Sequence, residues 1–254
     1  MLQIHQFPCL EDNYGFLVHD EESGATATID TPDSAEILRQ AEAKGWRISD
    51  VWNTHWHPDH AGGNAAIAAK TGARVTGPAE VERIGLSPDR IVVEGETALL
   101  GAHAARVLDV GGHTLGHIAY VFDEAKVAFV GDALFSMGCG RLFEGTPQQM
   151  WTSLSKLAAL PDEATLYCAH EYTSSNARFA ISVDPDNPAL QARVAEVAAL
   201  RAQGKPTVPM NLRLEKNTNP FLRAPQLKAA IGMEGAQDWE AFGEIRSRKD
   251  NFKG

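Results

Sequence analysis

The stretch Thr54-His55-Trp56-His57-Pro58-Asp59-His60 decides the fold, because it holds four metal-ligating side chains within six residues. His55 and His57 are two residues apart and directly follow an apolar run with the pattern of a strand. In extended backbone, side chains two residues apart project to the same side. We therefore predict that these two imidazoles bind one metal ion.

The second half of the stretch predicts a change from strand to helix. Pro58 favours extended backbone at His57 and is itself favoured in the first turn of a helix. Asp59 and His60 then lie at the start of that helix, where they can face a neighbouring ion. The alternative is a polar surface loop, but such a loop has no need of four side chains that zinc or iron prefers as ligands.

Further ligands are required, because a catalytic ion takes about three protein ligands and keeps an open position. His113 lies in a glycine-rich turn between two predicted strands, and Asp132 and His170 each follow an apolar run. Taken singly, His113 is equally compatible with a turn residue, Asp132 with a helix or turn cap, and His170 with a partly buried hydrogen-bonding histidine. Taken together, they complete a set of five histidines and two aspartates.

We assign these seven residues to two ions. One ion is bound by His55, His57 and His113; the other by Asp59, His60 and His170; and Asp132 binds both. The four remaining histidines are interpreted as structural: His5, His19, His103 and His117. Of these, His117 is a candidate for a residue that supports a metal ligand without binding the ion itself.

Composition narrows the class of protein. The 254 residues carry a net charge of −10, which works against indiscriminate attraction to nucleic acid or to anionic membrane. Three cysteines in no regular spacing do not form a disulfide framework. The first residues lack the pattern of a secretory signal, and no apolar run is long enough to span a membrane. We expect a cytoplasmic protein that acts as a monomer and binds neither nucleic acid nor membrane.

Hydrophobic patterning predicts an α/β (α+β) body followed by helices. The predicted strands are 2–7, 14–19, 25–30, 49–53, 73–76, 105–109, 118–122, 127–131 and 165–169. The predicted helices of the body are 34–44, 62–71 and 147–159. From about Tyr172 the chain is predicted to be all-helical, with helices at 187–203, 224–231 and 237–249 interrupted by Pro206 and Pro209. We predict a catalytic domain over 1–170 and a smaller helical substrate-binding domain over 171–254.

The ligand series THxHxDH, GHTxGH, an aspartate after GD and a late histidine resembles that of the metallo-β-lactamase superfamily. That resemblance implies an αββα sandwich, in which two mixed sheets lie face to face with helices outside. It also implies a site for two metal ions along one edge of the sandwich.

Within that superfamily the chain resembles the glyoxalase II family of hydroxyacylglutathione hydrolases nearly from end to end. Three segments carry the likeness: GCGRLFEGT at 138–146, HEYT at 170–173 and RSRKDNFK at 246–253. The resemblance implies that the first segment helps to bind glutathione and that Tyr172 contacts substrate. It further implies that Arg246 and Lys249 hold the glycine carboxylate of glutathione.

Two positions of the first segment depart from the animal enzymes, in which a Lys and a Tyr occupy the places of Arg141 and Phe143. Arg141 keeps the positive charge, although its geometry differs from that of Lys. Phe143 lacks the hydroxyl, so one hydrogen bond to the peptide is lost or replaced. Cys139 lies beside this segment, and we interpret it as a spectator thiol rather than a nucleophile.

The implied reaction is hydrolysis of a thioester, S-(2-hydroxyacyl)glutathione such as S-D-lactoylglutathione, to glutathione and D-lactate, the second step of methylglyoxal detoxification. The nucleophile would be a hydroxide that bridges two divalent ions, with zinc expected and iron or manganese as alternatives. Asp59 would bind metal and orient the hydroxide, and Asp132 would bridge the ions.

Other functions compatible with the motif stay open. A lactonase, a β-lactamase-like enzyme or a ribonuclease would share the fold, but the RxxKDxF tail favours a glutathione substrate. A glutathione persulfide dioxygenase would use one metal ion rather than two. A non-catalytic scaffold has no reason to keep seven ligands.

Overall fold

The structure, a computed structural model, describes all 254 residues. The chain divides into two compact units. The first contains Met1–Asp109 and Gly116–Gly131, and the second contains Val110–Leu115 and Asp132–Gly254.

A six-stranded sheet forms one layer of the first unit, with its strands in chain order. The strands are β1 (Leu2–Cys9), β2 (Asn13–Asp20), β3 (Thr26–Ile29), β4 (Asp50–Trp52), β5 (Arg74–Gly77) and β6 (Arg90–Ile91). The first three strands pair antiparallel and the others parallel, so the sheet is mixed. In this register Ile29 lies opposite Trp52, which aligns the ends of β3 and β4.

Four antiparallel strands form the second layer of this unit: β7 (Thr97–Leu100), β8 (His103–Asp109), β9 (Ile118–Phe122) and β10 (Val127–Gly131). The two layers pack through aromatic rings. Phe16 contacts Phe129 at a centroid distance of 5.5 Å, and Trp52 contacts Tyr120 at 5.1 Å. These side chains are almost fully buried, so the space between the two layers is the core of the unit.

Helices cover the outer face of the first sheet. They are α1 (Ser34–Lys44), α2 (Pro58–Ala61) and α3 (Asn64–Thr71), followed by a 3-10 helix at Ala79–Ile84. Side chains alternate along a strand, so Leu17 and Val51 face the helices while their neighbours Phe16 and Trp52 face the second sheet. Ile37 of α1 packs in the same cluster as Leu17 and Val51. The two face-to-face sheets and the outer helices confirm the predicted sandwich.

The second unit contains six helices and two pairs of short strands. The strands are β11 (Leu134–Phe135), β12 (Gly138–Cys139), β13 (Thr165–Cys168) and β14 (Met210–Asn211). The helices are α4 (Pro147–Ala158), α5 (Thr173–Val183), α6 (Pro188–Ala202), α7 (Leu212–Thr218), α8 (Ala224–Ile231) and α9 (Asp238–Asp250). Strand β11 pairs with β12 and β13 with β14, both antiparallel.

All the predicted strands and helices are present, with ends that differ by a few residues. One expectation is wrong in part, because the segment after Tyr172 is not entirely helical: β14 pairs with β13, and Met210 lies opposite Leu166. The physical reason is that Pro206 and Pro209 cannot donate helical hydrogen bonds, so the chain stays extended up to the start of α7.

None of the helices has the length and apolar character needed to cross a membrane. The division into domains at residue 170 stays a prediction, because the compact units assign part of the chain before that residue to the second unit.

Candidate metal centre

His55 and His57 form the first pair of candidate ligands in the first unit. They follow β4 on an extended segment, and Nε2 of His55 lies 3.0 Å from Nδ1 of His57. Two donors bound to one ion at about 2.1 Å are themselves about 3.0 to 3.4 Å apart. The two nitrogens therefore have the spacing of ligands that share an ion, as the alternation of strand side chains predicts.

Asp59 and His60 form the second pair, and they lie on α2 as predicted. The helix begins at Pro58, and His57 before it has the extended angles φ −55° and ψ 148°. Oδ2 of Asp59 lies 3.5 Å from Nε2 of His60. This separation exceeds the roughly 2.7–2.9 Å of a charge-assisted hydrogen bond but is close to the span of two ligands on one ion.

Asp30 is a supporting residue that the sequence analysis missed. It follows β3 in the left-handed region, at φ 60°, and is buried. Its carboxylate accepts hydrogen bonds from the backbone N–H of Thr54 at 2.7 Å, from the Thr54 hydroxyl at 2.8 Å and from Nδ1 of His60 at 2.8 Å. Because Nδ1 of His60 donates to this carboxylate, Nε2 is the nitrogen available to a metal ion.

Two further contacts shape this ligand set. The side-chain amide of Asn13, the first residue of β2, donates to Oδ2 of Asp59 at 3.1 Å. His117 stacks on His55 with a centroid distance of 4.6 Å, and its role as a partner of a ligand stays a prediction. Gly131 leaves room for it, since a Cβ there would lie 2.8 Å from the His117 ring.

The three remaining histidines of the first unit contact other groups. Nε2 of His5 lies 2.8 Å from Oε1 of Gln40, and Nδ1 of His19 lies 2.9 Å from the hydroxyl of Thr26. Nε2 of His103 lies 3.4 Å from the carboxylate of Asp20. These contacts agree with the interpretation of the three residues as structural.

The second unit brings together the other three predicted ligands. Oδ2 of Asp132 lies 3.4 Å from Nε2 of His113, and Oδ1 of the same carboxylate lies 3.4 Å from Nε2 of His170. All three side chains are buried. A single carboxylate therefore presents one oxygen to each of two imidazoles, which is the arrangement expected of a bridging ligand.

The loop after Asp132 orients His113. Nδ1 of His113 lies 2.8 Å from the backbone carbonyl of Arg141, to which it can donate. Gly140 allows this close approach, because a Cβ there would lie 2.1 Å from the Asp132 carbonyl oxygen and 3.0 Å from Nδ1 of His113. The carbonyl thus leaves Nε2 of His113 to face Asp132 and a metal ion.

Both sets of side chains fit divalent metal ions. The donors are imidazole nitrogens and carboxylate oxygens, which zinc, iron and manganese accept. The four donor pairs described above are 3.0 to 3.5 Å apart, which is close to the spacing of ligands that share an ion. Supporting groups hold the other nitrogens of His60 and His113. The histidine and aspartate cluster of this chain is able to bind divalent metal.

Arg141, Phe143 and Tyr172 form the exposed part of the predicted substrate site. The side chains of Arg141 and Phe143 are 58% and 61% exposed, and the guanidinium lies 5.9 Å from the centroid of the Phe143 ring. Tyr172 stacks on the predicted ligand His170 with the ring planes 3° apart. These side chains are accessible to a ligand in the second unit.

Arg246 and Lys249 lie one turn apart on α9, as predicted, but Arg246 is buried rather than solvated. Its guanidinium donates to the carbonyl of Cys139 at 2.9 Å and to Asp250 at 3.0 Å. Asp250 also lies 3.3 Å from Arg141. The Asp250 carboxylate, whose contacts the sequence did not predict, partly neutralises the two arginines.

Lys249 is half-buried, and its ammonium donates to the carbonyl and hydroxyl oxygens of Ser175 at 3.1 and 3.2 Å. Burial and, to a smaller extent, the cations of Arg246 and Arg178 together lower the pKa of Lys249 to about 8, against the opposing effect of the Asp250 carboxylate. The residue therefore changes its charge close to physiological pH.

Cys139 is buried beside these cations, and burial raises the pKa of its thiol to about 11. A thiol with such a pKa stays protonated at neutral pH, and a protonated thiol is a poor nucleophile. The environment of Cys139 agrees with a spectator role.

Known proteins share both parts of this chain. Residues 22–170 match the family model described as metallo-beta-lactamase superfamily, and residues 171–252 match the model described as hydroxyacylglutathione hydrolase C-terminus. The hydroxyacylglutathione hydrolase of Erythrobacter litoralis (strain HTCC2594) is 58% identical over 99% of this chain and 100% of its own length. That of Maricaulis maris (strain MCS10) is 57% identical over 99% of each.

A solved structure shows the same fold at lower identity. The crystal structure of ETHE1 from Myxococcus xanthus matches with a TM-score of 0.69 and 24% identity, over 96% of this chain and 90% of that one. The two family models together cover residues 22–252, and relatives above half identity align over nearly the full length. With its histidine and aspartate cluster, the chain belongs to the hydroxyacylglutathione hydrolases of the metallo-β-lactamase superfamily.

Proposed function

We propose that this chain hydrolyses the thioester of S-(2-hydroxyacyl)glutathione, such as S-D-lactoylglutathione, to glutathione and D-lactate, as the second step of methylglyoxal detoxification. The observation that carries the proposal is the Asp132 carboxylate, with one oxygen 3.4 Å from His113 and the other 3.4 Å from His170. Full-length identity to hydroxyacylglutathione hydrolases supports the choice of substrate.

The proposed ligand set combines the two groups described above. His55, His57 and His113 would hold one ion; Asp59, His60 and His170 the other; and Asp132 both. The counts complement each other, because the first unit supplies two ligands for each ion and the second unit supplies one more for each and a shared carboxylate. Each ion would then have about three ligands of its own and the shared carboxylate of Asp132, which leaves room for substrate.

When bound, two divalent ions would polarise the thioester carbonyl and lower the pKa of a water held between them towards neutrality. The protein's own residues orient the ligands for this chemistry. Asn13 donates to Asp59 and fixes the direction of its carboxylate, while Asp30 accepts from His60. The glutathione thiol has an ordinary pKa of about 8.5, so as a leaving group it needs no acid from the protein.

The peptide part of the substrate is proposed to bind in the second unit. Arg141, Arg246 and Lys249 supply cations for an anionic tripeptide, and the ring faces of Phe143 and Tyr172 supply exposed apolar contact. Asp250 would give up part of its contact with Arg141 when a carboxylate of the ligand takes its place. A protein with a net charge of −10 needs such local cations to bind an anion.

The identity of the metal, the location and oligomeric state of the protein, and the boundary between its domains are also proposals. We propose zinc as the metal, with iron or manganese as alternatives, because all three accept imidazole and carboxylate ligands. We also propose a monomer in the cytoplasm; the three buried free cysteines support the location, because they suit a reducing compartment. We further propose a catalytic domain over 1–170 and a substrate-binding domain over 171–254, in agreement with the ranges of the two family models.

The test is steady-state hydrolysis of S-D-lactoylglutathione beside a β-lactam and a lactone, with metal content measured on the same sample. We expect the thioester to be the best substrate by kcat/KM and two ions to be present per chain. Failure on the thioester with two ions bound would overturn the choice of substrate. Oxidation of glutathione persulfide by protein with one iron per chain would favour the dioxygenase instead.

A further inference from the structure

The hairpin of β11 and β12 connects a predicted metal ligand to the predicted substrate site. Asp132 lies two residues before Leu134, the first residue of β11, and Arg141 lies two residues after Cys139, the last residue of β12. The two ends of the hairpin lie next to each other, because the N–H of Gly140 donates to the carbonyl of Ala133. A shift of this hairpin would therefore move both ends.

The tip of the hairpin is strained and buried. Met137 has φ 52°, the left-handed region that costs a non-glycine residue about 1 kcal/mol or more. Ser136 and Met137 are both almost fully buried. Groups outside the hairpin must hold such a turn in place, because its buried polar backbone groups need partners.

Glu215 of α7 supplies one set of partners. Its carboxylate is fully buried and accepts from the N–H of Met137 at 2.8 Å and from the hydroxyl of Ser136 at 3.0 Å. It also accepts from the side-chain amide of Asn219 at 3.1 Å. Burial holds the pKa of Glu215 above its ordinary value, although the hydrogen bonds from Met137, Ser136 and Asn219 act in the opposite direction.

Asn219 directly follows α7 and donates hydrogen bonds to the hairpin, which the carboxylate of Glu215 cannot do. Its amide donates to the carbonyl of Phe135 at 3.0 Å and to the carbonyl of Gly138 at 2.9 Å. Glu215 and Asn219 together hold polar groups on both strands and on the turn between them. At the hairpin the Glu215 carboxylate accepts and the amide nitrogen of Asn219 donates, so the two residues make complementary contacts.

We propose that Glu215 and Asn219 are positioning residues that hold the β11–β12 hairpin and thereby place Asp132 for metal binding and Arg141 for substrate binding. The proposal rests on the function proposed above. Both side chains are fully buried, and neither belongs to the predicted metal ligands or to the predicted substrate site. They act through a hairpin whose ends carry a metal ligand and a backbone carbonyl that orients His113.

The test compares isosteric variants in the full-length protein. Glu215→Gln removes the negative charge and keeps one acceptor oxygen for Met137 and Asn219, with an amide nitrogen facing the Ser136 hydroxyl. Asn219→Asp places a carboxylate against the carbonyls of Phe135 and Gly138. Matched controls are Glu163→Gln, on a side chain that is 58% exposed, and Asn217→Asp on the exposed side of α7. Each variant is measured for kcat, KM, thermal melting, zinc affinity of the metal-free protein by competition with a chromophoric chelator, and hydrogen exchange of residues 134–141.

We expect Asn219→Asp to lose zinc affinity and kcat by about 10-fold or more, since displacements of about 1 Å at a site can cost about 100-fold. Glu215→Gln should lose less, because the Ser136 hydroxyl can accept from the new amide. Hydrogen exchange of the hairpin should accelerate while melting stays cooperative, and the controls should match the wild type. Zinc affinity and hydrogen exchange do not depend on the substrate, so they separate failure of this proposal from failure of the proposed function.

A swapped double variant, Glu215→Gln with Asn219→Asp, sharpens the test. It restores a hydrogen bond between the two side chains, but residue 215 now carries a donor towards the hairpin and residue 219 carries only acceptors. We expect no recovery; recovery of zinc affinity would show that the pair only stabilises α7 and would overturn the proposal. If the single variants do not fold, Ser136→Ala removes one donor to Glu215 at little cost, and unchanged zinc affinity and hairpin exchange in that variant would overturn it equally.

Discussion

The two sets of predicted ligands are built differently. In the first unit the four ligands lie within six consecutive residues, and the turn from β4 to α2 places them by local backbone geometry. In the second unit the three ligands are spread from His113 to His170, and contacts between distant segments place them. The first set is therefore encoded by a motif, whereas the second depends on packing.

The two sets also differ in what supports them. Asp30 supports the first set and contacts no residue of the predicted substrate site. The second set is supported by the carbonyl of Arg141, whose side chain belongs to that site. In the second unit one residue, Arg141, therefore meets a predicted metal ligand through its carbonyl and belongs to the predicted substrate site through its side chain.

The largest effect is expected from Asp132→Ala, which removes the shared carboxylate of the second set. Loss of several kcal/mol of transition-state stabilisation corresponds to a fall in kcat of about 1000-fold or more. Steady-state hydrolysis and metal content should be measured on the same preparation. Turnover near the wild-type value with two ions still bound would contradict the bridging role.

A smaller effect is expected from Asp30→Asn, which keeps the size of the side chain but replaces an acceptor of His60 by an amide. Supporting partners of metal ligands are worth roughly 10- to 100-fold in metal affinity or activity. Zinc affinity should fall by that factor, whereas KM should stay near the wild-type value. Asp123→Asn is the matched control, because Asp123 is 55% exposed and pairs with Arg106 on the surface.

Substitution Arg141→Ala separates the two roles of that residue. Only its backbone carbonyl supports His113, so the variant should keep both ions and its kcat. Loss of a cation that binds substrate and transition state alike should raise KM by about 10-fold. Arg213→Ala, at a 60% exposed side chain, is the control. A fall in zinc affinity in Arg141→Ala would mean that the side chain, too, places the ligand.

The smallest effect concerns pH. Lys249 has a pKa of about 8, so its charge is lost as pH rises through that value, and KM for an anionic substrate should rise above pH 8. Lys249→Arg stays charged there and should flatten the rise. Stability responds with the opposite sign: between about pH 8 and the ordinary pKa of 10.5, the unfolded chain holds a proton that the folded chain has lost, so the free energy of unfolding increases with pH. A flat KM profile in the wild type would contradict this assignment.

Local patterns made much of the fold predictable. Strands and helices with clear periodicity were found near their predicted positions, and the residues of 54–60 adopt the predicted turn from strand to helix. Short edge strands such as Arg90–Ile91 escaped prediction, because two residues carry no periodicity. The burial of Arg246 also escaped, since a cation near a helix end is expected to be solvated.

The supporting residues were not predictable for a related reason. Asp30, Asn13 and Glu215 each contact segments that are at least 24 residues away in the chain. A lone aspartate after a strand is most simply a turn residue, and a glutamate within a helix is most simply solvated. Only the fold shows which of these polar side chains are buried beside a ligand or a hairpin.

The most direct test of the two-set account is titration of the metal-free protein with zinc, with hydrolysis of S-D-lactoylglutathione followed at each addition. Two ligand sets that complete each other predict binding of two ions per chain and activity that reaches its maximum only near the second equivalent. Saturation of both binding and activity at one equivalent would contradict the account.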